Sequence, residues 1–318
     1  MGILVSGAVM VDVKGYPLAQ YIPAGRNAGR VVQVYGGVSR NIVEDIANIG
    51  LKPSYLSVVD ESAVGRDIVE KLAAKGVDTR YVKAVPDGLG MWLAIFGNDG
   101  DVIGSISKRP DLEPLLQILE EKGDEIVGQA DSVCLEMDMD EAVALRLLEL
   151  AEKYDKKVFA AVSNMSIALE RRELLQRTYC FVCNVQEAGM LFSEHYEGIP
   201  ADQLRSIVAD RARQARISRM IVTAGEAGSV YADCTDSGTD ADQADGFCPA
   251  GKVDVIDTTG AGDAFFAGVS AGMTYGKSMQ ESCMIGTRLA ASVISTRESV
   301  SPVFMPEEFG FHLPGMNA

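Results

Sequence analysis

The sequence is most constrained at Asp257-Thr258-Thr259-Gly260-Ala261-Gly262-Asp263-Ala264-Phe265-Phe266-Ala267-Gly268. A β-branched run, Val253, Val255 and Ile256, enters this stretch, and an apolar helical pattern leaves it. Gly260 and Gly262 permit backbone angles that a Cβ forbids, so the expected local structure is a strand, a tight turn and a helix start. The N–H groups of Gly260, Ala261 and Gly262 can then face one concavity, where unpaired donors and the helix dipole favour an anion. Asp263 lies in the same turn. A carboxylate there either caps the helix or takes a proton from a hydroxyl attacking a phosphoryl group held by the nest.

Other stretches share this logic. Gly36-Gly37-Val38-Ser39-Arg40-Asn41 opens a helix that runs through Ile42, Ile46 and Ile49 to Gly50. The glycines let backbone approach a ligand, or simply cap the helix; Asn41 offers both a donor and an acceptor. Arg40 either bonds a nucleobase carbonyl or pairs with Glu44 one turn on. The run from Ile3 to Val9 reads as a buried strand ending at Val11-Asp12. Asp12 would then stand at the C-terminal end of a parallel strand, as a turn residue or as an acceptor for sugar hydroxyls. Asn184 and Glu187 are three apart at a strand-to-helix junction, which suits a capping box, Mg²⁺ ligation through oxygen, or both. Thr223-Ala224-Gly225-Glu226-Ala227-Gly228 is a small-residue turn between two strand patterns.

Strand and helix patterns alternate through the rest, which implies α/β architecture with a mostly parallel sheet. Residues 91–96 and 101–106 read as a hairpin turning at Gly97-Asn98-Asp99-Gly100. Asp233 to Asp245 reads as a solvated acidic loop. No domain-scale linker or repeat interrupts residues 1–318, so one domain is expected.

A net charge of −16 argues against nucleic acid and anionic membranes as partners, and leaves local donors to hold any anionic ligand. No apolar run reaches membrane-spanning length, and the N-terminus reads as a strand rather than a signal peptide. Six scattered cysteines, with Cys180 and Cys183 as buried strand residues, suit a reducing, cytoplasmic compartment. His195 and His312 both read as surface residues. Residues 271–278 fit a loose phosphate-loop pattern. They follow a helix instead of opening one, so Gly276 reads as a helix end. A dinucleotide fingerprint is missing after the first strand, which sets dehydrogenase chemistry aside.

The 257–268 string, together with Gly-Gly-Val-Ser-Arg-Asn, resembles the PfkB (ribokinase-like) carbohydrate kinases. The resemblance runs from Gly7 to Val303. It implies a ribokinase-like three-layer α/β/α domain with a small β-sheet lid built from residues 14–35 and 88–108. It also implies ATP and Mg²⁺ as cofactors, and dimerisation through the lid in some relatives. On that resemblance Asp263 is the catalytic base, and Gly260, Ala261 and Gly262 form the anion hole. Asp12, Gly36, Gly37, Arg40 and Asn41 bind substrate; Thr223, Gly225, Gly228 and Asn184 bind nucleotide; Glu187, with Asn184, manages Mg²⁺. In many relatives a loop matching 296–302 holds a monovalent cation with the Asp matching Asp257; the match here does not extend to that ion. An Arg directly before the Asn is similar to the family's pseudouridine kinases, so the expected reaction is 5′-phosphorylation of pseudouridine. A free sugar (ribose, fructose or 2-keto-3-deoxygluconate) is the alternative substrate, and a non-catalytic nucleotide or sugar sensor is the alternative of another class.

Overall fold

Strands rich in buried β-branched residues assemble the main sheet of the computed structural model, which describes residues 2–98, 101–137, 139–162, 164–235 and 245–311. The expected hairpin turn at Asp99-Gly100, most of the expected acidic loop (236–244) and His312 lie outside the described residues. Among the described residues this sheet has nine strands. From one edge they are β13 (Asp245–Cys248), β12 (Ser229–Asp233), β11 (Arg219–Thr223), β10 (Cys180–Asn184), β9 (Lys157–Ala161), β8 (Ser132–Glu136), β1 (Leu4–Ser6), β4 (Ser54–Val59) and β5 (Asp78–Ala84). The strands from β11 to β5 run parallel, and β12 and β13 continue the sheet antiparallel.

Side chains alternate across this sheet and build two cores, as strand geometry requires. Leu4 and Leu56 face a layer formed by α3 (Glu113–Gln129), α4 (Glu141–Lys153), α6 (Val185–Phe192) and α7 (Ala201–Ala215). Val5 and Tyr55 face the opposite layer of α1 (Val38–Asn48), α2 (Ala63–Ala74), α8 (Ala261–Thr274) and α9 (Met279–Ile294). The three-layer arrangement matches the expected fold class.

A second, smaller sheet has the order β3 (Gly29–Gly36), β2 (Met10–Pro17), β6 (Gly90–Phe96), β7 (Val102–Lys108). The expected hairpin is present as the antiparallel pair β6 and β7. Two boundaries differ from expectation. The first main-sheet strand stops at Ser6, and the chain re-enters strand conformation at Met10 in the other sheet. Asp12 therefore belongs to the small sheet and not to the end of a parallel main-sheet strand. The apolar run continues through Val9 and Val11, both buried, so hydropathy gives no sign of the break. The second difference concerns residues 253–256, which form no strand before the glycine turn. Ile256 N–H donates to the Ile294 carbonyl at the end of α9 (2.7 Å), and Val255 is 62 % exposed.

Helices α8 and α9 touch backbone to backbone. A Cβ on Gly268 would lie 2.6 Å from the Gly286 Cα, so two glycines set this helix separation. Gly276 has φ +83° directly after α8, and Lys277 N–H donates back to Gly272. The pseudo phosphate loop is thus a helix C-terminus.

Gly268→Ala is expected to force α8 and α9 apart and cost about 1–3 kcal/mol of stability. Urea unfolding measures this, and an unchanged midpoint would mean the two helices can separate freely.

Candidate active site

The two glycine-rich junctions meet although 222 residues separate their key side chains. Asn41 Nδ2 donates to Asp263 Oδ2 at 2.6 Å. Gly37, with φ +102°, starts α1, and a Cβ there would stand 2.5 Å from the Ala8 carbonyl. Gly260, with φ +84°, starts α8, and a Cβ there would overlap the Ser299 carbonyl. Both positions need glycine for conformation and for space.

Arg40 fixes the direction of the Asn41 amide. Its Nη1 donates to Asn41 Oδ1 at 2.8 Å, which leaves Nδ2 for Asp263. It also pairs with Glu44 at 3.2 Å, and Lys75 holds the other Glu44 oxygen at 2.6 Å. Of the two readings left open for Arg40, the ion pair is the one present. The side chain is buried and lies outside the lining of the cavity above it.

Three cavities meet around the glycine turn, two of them walled by Asp263 and one by the adjacent Gly262. The first, about 430 Å³, lies under the small sheet and includes Asp12, Gly36, Gly37, Asn41 and Asp263 in its wall. The second, about 910 Å³, lies between residues 250–255, the 225–228 turn and the α8–α9 pair. Thr223, Gly225, Gly228, Ala261 and Gly262 line it. A narrow third space of about 130 Å³ holds Asn184, Glu187, Gly262 and Asp263. The glycine turn is therefore the partition between two chambers of ligand size. A hydroxyl in the first and a phosphoryl group in the second would meet at Asp263.

The partition shows one departure from a simple three-donor nest. Ala261 N–H turns back to the Thr258 carbonyl at 3.3 Å. Asp257 accepts from Thr259 N–H at 2.9 Å and pins the turn from the other side. Asn184 and Glu187 form the capping box: Glu187 N–H donates to Asn184 Oδ1 at 2.9 Å, and Asn184 N–H donates to Glu187 Oε2 at 2.8 Å. Their place in the third cavity remains open to a ligand as well.

Burial pushes the Asp263 carboxyl up to about 7; the Asn41 hydrogen bond and the Arg40 charge work against that rise, and Glu187 adds to it. Burial also raises Asp12 despite Lys14 and Arg40. A carboxylate poised near neutrality is suited to take a proton from an alcohol.

Sequence reasoning missed part of this site. Trp92, Ser107 and Arg109 line the first cavity, Lys252 lines the second, and Ser299 backs Gly260. Trp92 carried a detectable signal, since it lies in the alternating hairpin strand two positions after Gly90. Ser299 carried none.

This geometry defines an enzyme site for transfer of a phosphoryl group to an alcohol. The pfkB family carbohydrate kinase model matches residues 2–305, and the chain belongs to that family. Guanosine-inosine kinase of Exiguobacterium acetylicum is 31% identical over 93% of this chain and 95% of its own length. Pseudouridine kinase of Escherichia coli (strain K12) is 23% identical over 94% of this chain and 92% of its own. The fold is that of Arabidopsis thaliana ribokinase, solved with ribose and ATP: TM-score 0.83, 20% identity, covering 98% of this chain and 99% of that one. The chain is a sugar or nucleoside phosphotransferase.

With Asp263 as the proton acceptor that the sequence resemblance implies, turnover is expected to fall as pH drops below about 7. Arg40→Gln removes a charge that lowers this value, so the acid limb should move to higher pH. A pH–kcat/KM profile of both proteins checks the shift, and its position does not depend on how much protein is folded.

Proposed function

We propose that the chain transfers the γ-phosphoryl group of ATP to the 5′-hydroxyl of a ribonucleoside, with a purine nucleoside such as inosine or guanosine favoured over pseudouridine. The carrying observation is one row across the small sheet: Val34, Asp12, Trp92 and Ser107 stand in register on four adjacent strands. Strands lie about 4.8 Å apart, close to the separation of a ribose from the ring system attached to it. A sugar whose hydroxyls are held by Asp12 would thus place its base against the Trp92 indole. A free pentose would fill only part of the 430 Å³ space. The pseudouridine expectation rested on the resemblance of Gly-Gly-Val-Ser-Arg-Asn to pseudouridine kinases, and the Arg40 side chain of that string is engaged with Asn41 and Glu44. The guanosine-inosine kinase similarity supports the purine reading.

In the proposed reaction, Asp12, Gly37 and Asn41 orient the nucleoside. Asp263 takes the hydroxyl proton as the oxygen bonds to the γ-phosphorus and the bond to the ADP oxygen breaks. The backbone donors at Gly260 and Gly262 face the transferred charge. Thr223, Gly225 and Gly228 place the nucleotide. No cluster of three acidic, His or Cys ligands occurs among the described residues. Mg²⁺ commonly takes one or two carboxylates and completes its shell with phosphates and water, so Glu187 and Asn184 fit it. When bound, Mg²⁺ would neutralise phosphate charge.

ADP release with Mg-ATP, measured across inosine, guanosine, pseudouridine, ribose, fructose and 2-keto-3-deoxygluconate, tests the substrate. Turnover on inosine or guanosine is expected, and preference for a free sugar would overturn the nucleoside reading. Asp263→Asn should lower kcat by about 10²–10⁴-fold. Trp92→Ala should weaken nucleoside binding by about 1–3 kcal/mol, the usual size of a base-stacking contact, read as a rise in KM with kcat nearly kept.

A further inference from the structure

Helix α1 carries a polar stripe on a face that is otherwise packed in the core. Asn41, Asp45 and Asn48 follow at spacings of four and three, so they line one side of the helix. All three are buried, and Asp45 is 0 % exposed. Asn41 reaches Asp263. The other two grip one residue of the loop after α9: Ser301 N–H donates to Asp45 Oδ1 at 2.6 Å, and Asn48 Nδ2 donates to the Ser301 carbonyl at 2.7 Å. The Asn48 carbonyl also accepts from Phe304 N–H at 2.7 Å. Two residues before Ser301, the Ser299 carbonyl stands where a Cβ of Gly260 would be. Ser299 also lines the substrate cavity.

We propose that Asp45 is a positioning residue for phosphoryl transfer: by gripping Ser301 it keeps Ser299 against Gly260 and so holds the glycine turn in its phosphoryl-binding shape. The helix that presents Asn41 to the base thereby also braces the turn that faces the phosphate. The placement is costly, which argues for a purpose beyond packing. Asp45 forms no ion pair among the described residues, and its Oδ2 and the Ser301 hydroxyl are both buried without a hydrogen bond of ordinary geometry. Burial pushes the Asp45 carboxyl up to about 8, and the nearby Asp263 and Glu44 charges add to the rise. An amide, which has the shape of a neutral carboxylic acid, should therefore substitute for it.

The test compares Asp45→Ala and Asp45→Asn with the full-length parent. Hydrogen–deuterium exchange of residues 258–262 and 296–302 needs no substrate. The expected result is exchange about tenfold faster or more in both segments for Asp45→Ala, with Asp45→Asn close to the parent and β8 unchanged in both. In ADP-release kinetics, on inosine or on whichever panel acceptor is turned over, Asp45→Ala should lose kcat by about tenfold or more with little change in acceptor KM. Asp45→Asn should restore it. Unchanged protection of 258–262 in Asp45→Ala overturns the proposal, as does a loss in Asp45→Asn equal to that in Asp45→Ala. Faster exchange spread evenly over the whole chain also overturns it, since that marks general destabilisation. Because exchange reads the turn without turnover, its failure is separable from a wrong choice of substrate.

Discussion

The hydrogen bond from Asn41 to Asp263 joins two helix starts that lie 222 residues apart in the chain. It joins a helix that follows the small sheet to a helix near the C-terminal end of the chain. The bond forms only if α1 and α8 pack side by side with both N-termini facing the same cleft. Glycines at both helix starts satisfy that demand by removing the side chains that would collide. Helix dipoles then add at the cleft, and both favour negative charge there. Asp263 lies in the first turn of α8, and burial works against that field to raise its carboxyl to about 7.

A second consequence is the separation of two ligand chambers by a single turn. The first chamber is walled by the small sheet, whose β2 and β6 place Asp12 and Trp92 in neighbouring register. The second chamber is walled by residues 250–255 and the α8–α9 pair. Those extended residues keep apolar side chains exposed, Val253 and Val255 among them, because they face the chamber and not the core. An apolar wall of this kind can cover a flat ring, which explains β-branched residues outside any strand.

Sequence legibility follows the same physics. Gly37 and Gly260 were readable because positive φ and close approach leave glycine as the residue that fits, and such demands are local. The hairpin and the alternating core were readable from period alone. The change of sheet between Ser6 and Met10 was not, because both strands are apolar and the break consists of direction, which hydropathy does not encode. The valines at 253 and 255 misled for the opposite reason, since β-branched composition reports burial against something flat, and a ligand wall qualifies as well as a sheet. The Arg40 pair with Glu44 was readable from their spacing of four on α1, whereas its bond to the Asn41 amide needed the packed structure. Ser299 and Ser301 act through backbone atoms, and no residue preference marks a carbonyl that merely has to be in place.

A protein of net charge −16 that handles polyphosphate must concentrate attraction at the point of need. The arrangement does so with few cations. Arg40 is the buried guanidinium beneath Asp263, and its partner Glu44 is shared with Lys75. Lys252 lies on the nucleotide wall. The remainder must come from oriented backbone donors, which attract an anion without adding net charge and need no reorganisation when it arrives. Such donors work only if the turn carrying them is rigid. On the proposed role of Asp45, the cost of burying Asn41, Asp45 and Asn48 along one helix face has a physical rationale: a rigid turn adds to the attraction of Lys14 and Arg109 on the first cavity and Lys252 on the second.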